Sequence, residues 1–180
     1  MADMLKSRPG SSSSLLRMLV VVILFGVIIV YGTISFSSND WAWFMRSFNE
    51  KPVEVIVYNQ GERAQLTAGD TGFFELAEAI RVSMQRGVAR QSGVGISRDS
   101  INDAYTKYIT VEAIFEKPFK LHAWFNTGNP THILIPISGR HSDLSVVFLS
   151  RDGNYSTNAP AMKDLQPVKD TLRSLGYLEQ

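Results

Sequence analysis

Cysteine is absent from the 180 residues. That excludes disulfides, thiolate metal sites, cysteine nucleophiles and lipid attachment through a cysteine. It does not locate the compartment, because an extracytoplasmic domain with a full core needs no covalent staples. Surplus charge is scarce as well. Eighteen Lys and Arg face 17 Asp and Glu, a formal net charge of +1. Over residues 41–180 fifteen cations meet fifteen acids. A dedicated nucleic-acid binder carries a basic surplus, so nucleic acid is not an expected partner. Glycine forms no phosphate-binding loop. Gly93 and Gly95 lack the third glycine and the preceding strand of a dinucleotide fingerprint. No nucleophile elbow and no internal repeat occurs.

What the chain does have is one long apolar run over residues 15–36, uncharged from Met18 to Phe36. As a helix rising ~1.5 Å per residue it crosses the ~30 Å hydrocarbon layer of a bilayer. Its backbone hydrogen bonds close within the segment, so lipid can surround it. Met18, Phe25, Gly26, Tyr31 and Phe36 are expected inside the membrane. Trp41, Trp43 and Phe44 follow the run and suit an aromatic belt at the interface. Lys6, Arg8 and Arg17 precede it, whereas the first cation afterwards is Arg46. The positive-inside rule therefore predicts a cytoplasmic N-terminus and an extracytoplasmic C-terminal domain, anchored in the plasma or inner membrane. A cleaved signal peptide, with Ser35 and Ser37 flanking the cut, is the rival reading. Gly26 and Gly32 are six apart and make no GxxxG pair, so a plain anchor is expected.

Residues 1–14 read as a disordered cytoplasmic tail and 37–52 as a juxtamembrane linker. In that linker Trp41, Phe44, Met45 and Phe48 recur at helical spacing, which suits an extension of the helix or a surface-lying segment. The extracytoplasmic domain is expected over 53–180. Residues 53–58 alternate as a strand, 59–62 turn, and 63–67 return. Asp70 is placed to cap a helix carrying Phe73, Leu76, Ala77, Ile80 and Met84 on one face, closed by Gly87. Residues 88–98 show little pattern. A short helix capped by Ser97 follows, with Ile101, Ala104 and Tyr105 as its apolar side. Strands are expected over 109–116, 119–126, 133–137 and 144–150, with Pro136 marking an edge or a bulge. A last helix carries Leu165, Val168, Leu172 and Leu175 and ends at Gly176. The fold class is α+β: one N-terminal transmembrane helix, then a mostly antiparallel sheet with two helices packed on one face.

Chemistry is thinly marked. If Phe125 pairs with Ile133, His122 and His132 share a polar face about 13 Å apart at ~3.3 Å per residue. A shared metal needs nitrogens at ~2.0–2.1 Å from it, so these read as surface histidines. Arg140, His141, Ser142 and Asp143 hold the residue types of a hydrolase triad, but neighbours in one turn cannot aim at each other as that mechanism needs. Glu112 and Glu116 read as a solvated strand face beside Lys117. Asn154, Tyr155 and Ser156 fit a glycosylation acceptor, relevant only in a eukaryotic secretory pathway. Arg81, Arg86, Arg90 and Arg98 form a mild cationic cluster that suits an acidic partner or lipid headgroups. Trp124 stands on the polar side of its segment and suits an interface. The candidate partner-binding residues are thus Trp124, Arg86, Arg90 and Arg98. No catalytic, metal or cofactor-binding residue is assigned. The expected function is a protein-interaction domain rather than an enzyme, an accessory or assembly subunit of a membrane complex, with the bilayer and another membrane protein as partners. A sensory or small-ligand-binding domain is the alternative.

Overall fold

Helix α1 (Ser11–Ser38) leads the structure, a computed structural model that describes residues 11–45, 47–90, 94–155 and 159–179. The expected tail up to residue 10, Arg46, Gly93 of the glycine pair and Ser156 of the glycosylation pattern lie outside the described residues. Within α1, Ser14–Ser38 is long and apolar enough to cross a membrane, and almost none of it is covered by the rest of the chain.

The helix does not continue into the linker. Asn39 takes a left-handed conformation (φ 54°) and reverses the chain. Residues 41–44 form a turn, and Phe48 enters the core against Phe115 and Phe119 at ring separations of 6.0 and 5.4 Å. The helical spacing of Trp41, Phe44 and Phe48 is therefore not a helix. Three separate aromatic contacts, to α1 and to the core, produce the same spacing.

The central sheet has the order β2-β1-β4-β5-β6, antiparallel throughout. Its strands are β1 (Glu54–Asn59), β2 (Glu62–Leu66), β4 (Ile109–Ile114), β5 (His132–Pro136) and β6 (Phe148–Ser150). The expected hairpin is β1–β2, turning at Gln60 and Gly61, both at positive φ. Pro136 fits because β6 pairs only as far as Leu134, which leaves the end of β5 an edge where no N–H is needed.

Two helices cover one sheet face, α2 (Phe73–Gln85) and α4 (Gln166–Ser174). They bury Leu76, Ile80, Val168 and Leu172 against Val55, Val57, Val111, Ile133 and Ile135. At about 1.5–3 kcal/mol for each fully buried aliphatic side chain, this layer dominates stability. Asp70 does not cap α2. Gly72 (φ 86°) holds that position, and the Asp70 carboxylate accepts from the N–H and hydroxyl of Thr67 in the preceding turn. At the far end of α4, Gly176 (φ 81°) lets the Tyr177 N–H bond the Leu172 carbonyl and stop the helix.

The other sheet face is covered too. Helix α3 (Arg98–Thr106), capped as expected by the Ser97 hydroxyl on the Ser100 N–H, packs on β1 and β4. Beside it Leu134, Val146, Phe148 and Ala159 form a second, smaller core. This layer is closed by a two-stranded ribbon of β3 (Val88–Arg90) and β7 (Pro160–Met162), neither of which the pattern of residues 88–98 or 159–163 suggested. Each strand is three residues long, too short to show a period.

Two expected strands are corrected. Residues 119–126 alternate as anticipated, with Phe119, Leu121, Ala123 and Phe125 buried and Lys120, Trp124 and Asn126 exposed. They make no ladder, so the segment is extended chain laid on the domain, and Phe125 does not pair with Ile133. Residues 144–147 are not strand either. A single 3-10 turn (Ser142–Leu144) and an isolated bridge from Val146 to Ala161 precede β6.

Candidate functional site

The end of α1 is fastened to the domain. Its last turns are partly covered, with Ser35, Ser38 and Asp40 buried. The Asp40 carboxylate accepts the Ala42 N–H at 2.9 Å on one oxygen, and His122 Nδ1 lies 2.8 Å from the other. Lys120 Nζ reaches the Asn39 carbonyl at 3.5 Å. His122 is thus part of a clasp, not a surface histidine on a strand opposite His132, whose own Nδ1 meets the Thr131 hydroxyl. Removing the imidazole leaves a buried carboxylate one partner short, a loss of about 1–3 kcal/mol. His122→Ala is therefore expected to lower the thermal midpoint of the full-length protein in detergent by about 2–6 °C. An unchanged midpoint would show that the clasp adds no stability.

Below the clasp, the turn at 41–44 folds back along α1. The Tyr31 hydroxyl donates to the Trp41 carbonyl at 2.6 Å, and the Tyr31 ring lies 6.0 Å from Trp41 and 6.2 Å from Phe44. Trp43 packs edge-on against Phe44, and Phe36, 80 % exposed, packs edge-on against Trp41. Met18 and Phe25 are exposed along α1, and Gly26 has open space beside it. The three residues expected at the interface, Trp41, Trp43 and Phe44, therefore gather with Tyr31 along the stretch of α1 from Ile23 to Phe36.

A cleft of about 360 Å³ opens between α1 and the domain on this side. Thr33, Ile34 and Ser37 form its helix wall, and Arg90, Trp124 and Asn126 line the domain wall. Trp124 is 51 % exposed, and the Arg90 guanidinium sits 5.9 Å from the centre of its ring. Two of the four candidate partner residues thus come together. The other two do not join them. Arg86 pairs with Asp164, and Arg98 begins α3. Arg81 pairs with Glu78 on its own helix. What reads as one cationic cluster is dispersed, since Arg81 and Arg86 take nearby acids and Arg90 the Trp124 ring, while Arg98 starts a separate helix.

A second surface feature went unmarked in the sequence. Phe74 is 65 % exposed and Val53 48 % exposed, beside a mostly apolar hollow of about 550 Å³. Lys51, Glu78 and Arg81 stand at its rim. Phe74 follows Phe73, which is buried and lies edge-on at 5.4 Å. The signal was a large apolar residue one position off the buried stripe of α2.

The third polar feature is internal. Glu112 is 6 % exposed and points into the second face, where it accepts hydrogen bonds from Tyr58 (2.9 Å) and from Tyr155. Tyr105 of α3 stacks on Tyr58 at 4.4 Å. Burial first, then the Glu112 charge, raises the Tyr58 and Tyr155 hydroxyls well above the ordinary tyrosine value. The expectation of a solvated Glu112 fails because α3 with Val146, Tyr155, Ala159 and Ala161 covers that face. Apolar Ile56, Leu134 and Phe148 at alternate positions of β1, β5 and β6 were the available signal. The candidate triad does not assemble. The Ser142 hydroxyl donates to the Gly139 carbonyl, and His141 packs on Phe148, with burial lowering its pKa.

No family model matches the chain, and no curated protein matches it. Among solved structures the chain is similar to the crystal structure of YycH from Bacillus subtilis, at 14 % identity and a TM-score of 0.47 over 69 % of this chain. The chain spans 37 % of the length of YycH.

Proposed function

We propose that the chain is a single-pass, membrane-anchored protein whose extracytoplasmic domain binds another protein, as an accessory or assembly subunit of a membrane complex. In this reading α1 is a retained anchor with its N-terminus in the cytoplasm, supported by the charges before the apolar run and the aromatic residues after it. The clasp at Asp40 and His122 holds the domain against the exit of that helix, so its partners are found in or on the same membrane. The domain acts by binding and carries out no reaction of its own.

One observation carries the reading, the exposed Phe74 beside its apolar hollow. A large ring left in water next to a concave apolar surface costs solubility unless something covers it. The rim holds two cations and one acid, Lys51, Arg81 and Glu78, and so favours a partner segment with an apolar side chain flanked by a carboxylate. Of the residues anticipated as the contact, Trp124 and Arg90 stay together at the cleft beside α1, whereas Arg86 pairs with Asp164 and Arg98 begins α3. We place the protein contact at Phe74, the larger exposed apolar side chain of the hollow.

The test is purification of the full-length protein from its native membrane in mild detergent, with mass spectrometry of what accompanies it. A stoichiometric protein that falls by about tenfold or more in Phe74→Ala, with an unchanged thermal midpoint, supports the proposal. A lone chain in several detergents, or a partner indifferent to Phe74, sinks it.

A further inference from the structure

We infer that the cleft between α1 and the domain binds the headgroup of an anionic phospholipid, held by Arg90 and Trp124. The inference rests on α1 being a retained anchor, and not on the protein partner proposed at Phe74.

Height is the first argument. Aromatic side chains of membrane proteins gather where hydrocarbon meets headgroups. Here Tyr31, Trp41, Trp43 and Phe44 gather along α1 between Ile23 and Phe36. Thr33 and Ser37, on the cleft wall, follow Tyr31 by two and six residues. At ~1.5 Å per residue they stand ~3 Å and ~9 Å further out along the helix. That places the cleft at the outer end of the aromatic belt, facing the headgroups, with its helix wall continuous with the segment in the acyl chains.

Charge is the second. Among the described residues the lining includes one cation, Arg90, and no carboxylate. The nearby acid of the junction, Asp40, is already engaged by His122 and the Ala42 N–H. A guanidinium presents a fork of donors matched to two phosphate oxygens. Trp124 holds the guanidinium through its ring face and keeps it at the cleft mouth. The hydroxyls of Thr33 and Ser37 and the amide of Asn126 provide further donors along the walls.

Size and lining are the third. At about 360 Å³ the cleft is at the small end of ligand sites. It suits a phosphodiester with a short polar alcohol. A choline headgroup would bring its cation beside Arg90, with no carboxylate among the described lining residues to receive it.

The experiment is native mass spectrometry of the full-length protein in detergent, titrated with phosphatidylglycerol or with phosphatidylcholine of matched chains. One retained phosphatidylglycerol per chain is expected, favoured over phosphatidylcholine. Arg90→Gln should weaken that retention by about tenfold or more, the loss of one charge-assisted contact. Trp124→Ala should weaken it less. Arg86→Gln, which breaks the pair with Asp164 outside the cleft, should leave it unchanged. Both arginines are exposed, and an unchanged thermal midpoint checks the fold. Equal retention of both lipids, or retention indifferent to Arg90, overturns the inference. So does glycerol phosphate binding as tightly as the lipid, since the ligand would then be a free anion. Loss of the protein partner in Phe74→Ala with lipid retention intact separates the two proposals.

Discussion

Glu112→Ala is expected to destabilise the C-terminal domain by about 2–4 kcal/mol. The carboxylate is the shared acceptor of the Tyr58 and Tyr155 hydroxyls on a covered sheet face. Its removal leaves two hydroxyls short of a partner, at ~1–3 kcal/mol for a buried donor. Part of that loss is offset because the mutant no longer buries a charge. Glu112→Gln keeps the shape and one carbonyl acceptor and should cost about 1 kcal/mol. Chemical denaturation of the purified domain, followed by tryptophan fluorescence, measures both. A midpoint shift for Glu112→Ala equivalent to less than about 0.5 kcal/mol would mean that the cage contributes nothing.

The same cage sets an alkaline limit. Tyr58 and Tyr155 have folded-state pKa values raised above the ordinary value, chiefly by burial. Below pH ~10 the unfolded chain keeps its tyrosine protons as well, and the full contribution of the cage is present. Above pH ~10 the unfolded chain releases protons that the folded chain holds. Stability then falls with pH, and the slope belonging to Tyr155 approaches ~1.4 kcal/mol per pH unit. Tyr155→Phe should be less stable at neutral pH, yet lose less between pH 9 and pH 11. Parallel curves for the two proteins would exclude Tyr155 as the source.

Gly139→Ala is the other large effect, at about 2–5 kcal/mol. Gly139 has φ 71°, and a Cβ there would lie 2.2–2.5 Å from atoms of the Tyr108 ring. A left-handed backbone costs an L residue about 1–2 kcal/mol, and displacing the ring adds an overpacking cost of about 1–3 kcal/mol. Gly128 provides the control. It has φ 69° with nothing within 4 Å of the added carbon, so Gly128→Ala carries the backbone cost alone. The difference between the two alanine variants should vanish in a Tyr108→Ala background. A difference that persists would mean that the ring does not oppose the substitution.

These two sites differ in how far they could be read in advance. The turn at 139–143 was legible, because glycine and small polar residues mark a reversal wherever they occur. The ring that makes Gly139 irreplaceable was not, since Tyr108 comes from the bend just before β4, some thirty positions away in the chain. Glu112 was misread for a related reason. Alternation tells which residues share a face, but not whether a third layer covers it. The alternation of 119–126 was likewise correct in burial and wrong in partner, because extended chain on a core alternates whether or not a neighbour supplies hydrogen bonds.

The apolar helix, the β1–β2 hairpin, the buried stripes of α2 and α4 and the α+β class follow from the sequence alone. Each rests on a local pattern, an unbroken apolar run or a repeat at strand or helix spacing, and local geometry dictates it. That Asp40 meets His122 across 82 positions, that Arg90 leaves the other arginines to stand over Trp124, and that Phe74 remains uncovered all depend on how the chain folds in space. A side chain's partner depends on how layers close over one another, and charge pairs form by distance in space. Neither is written in the spacing along the chain.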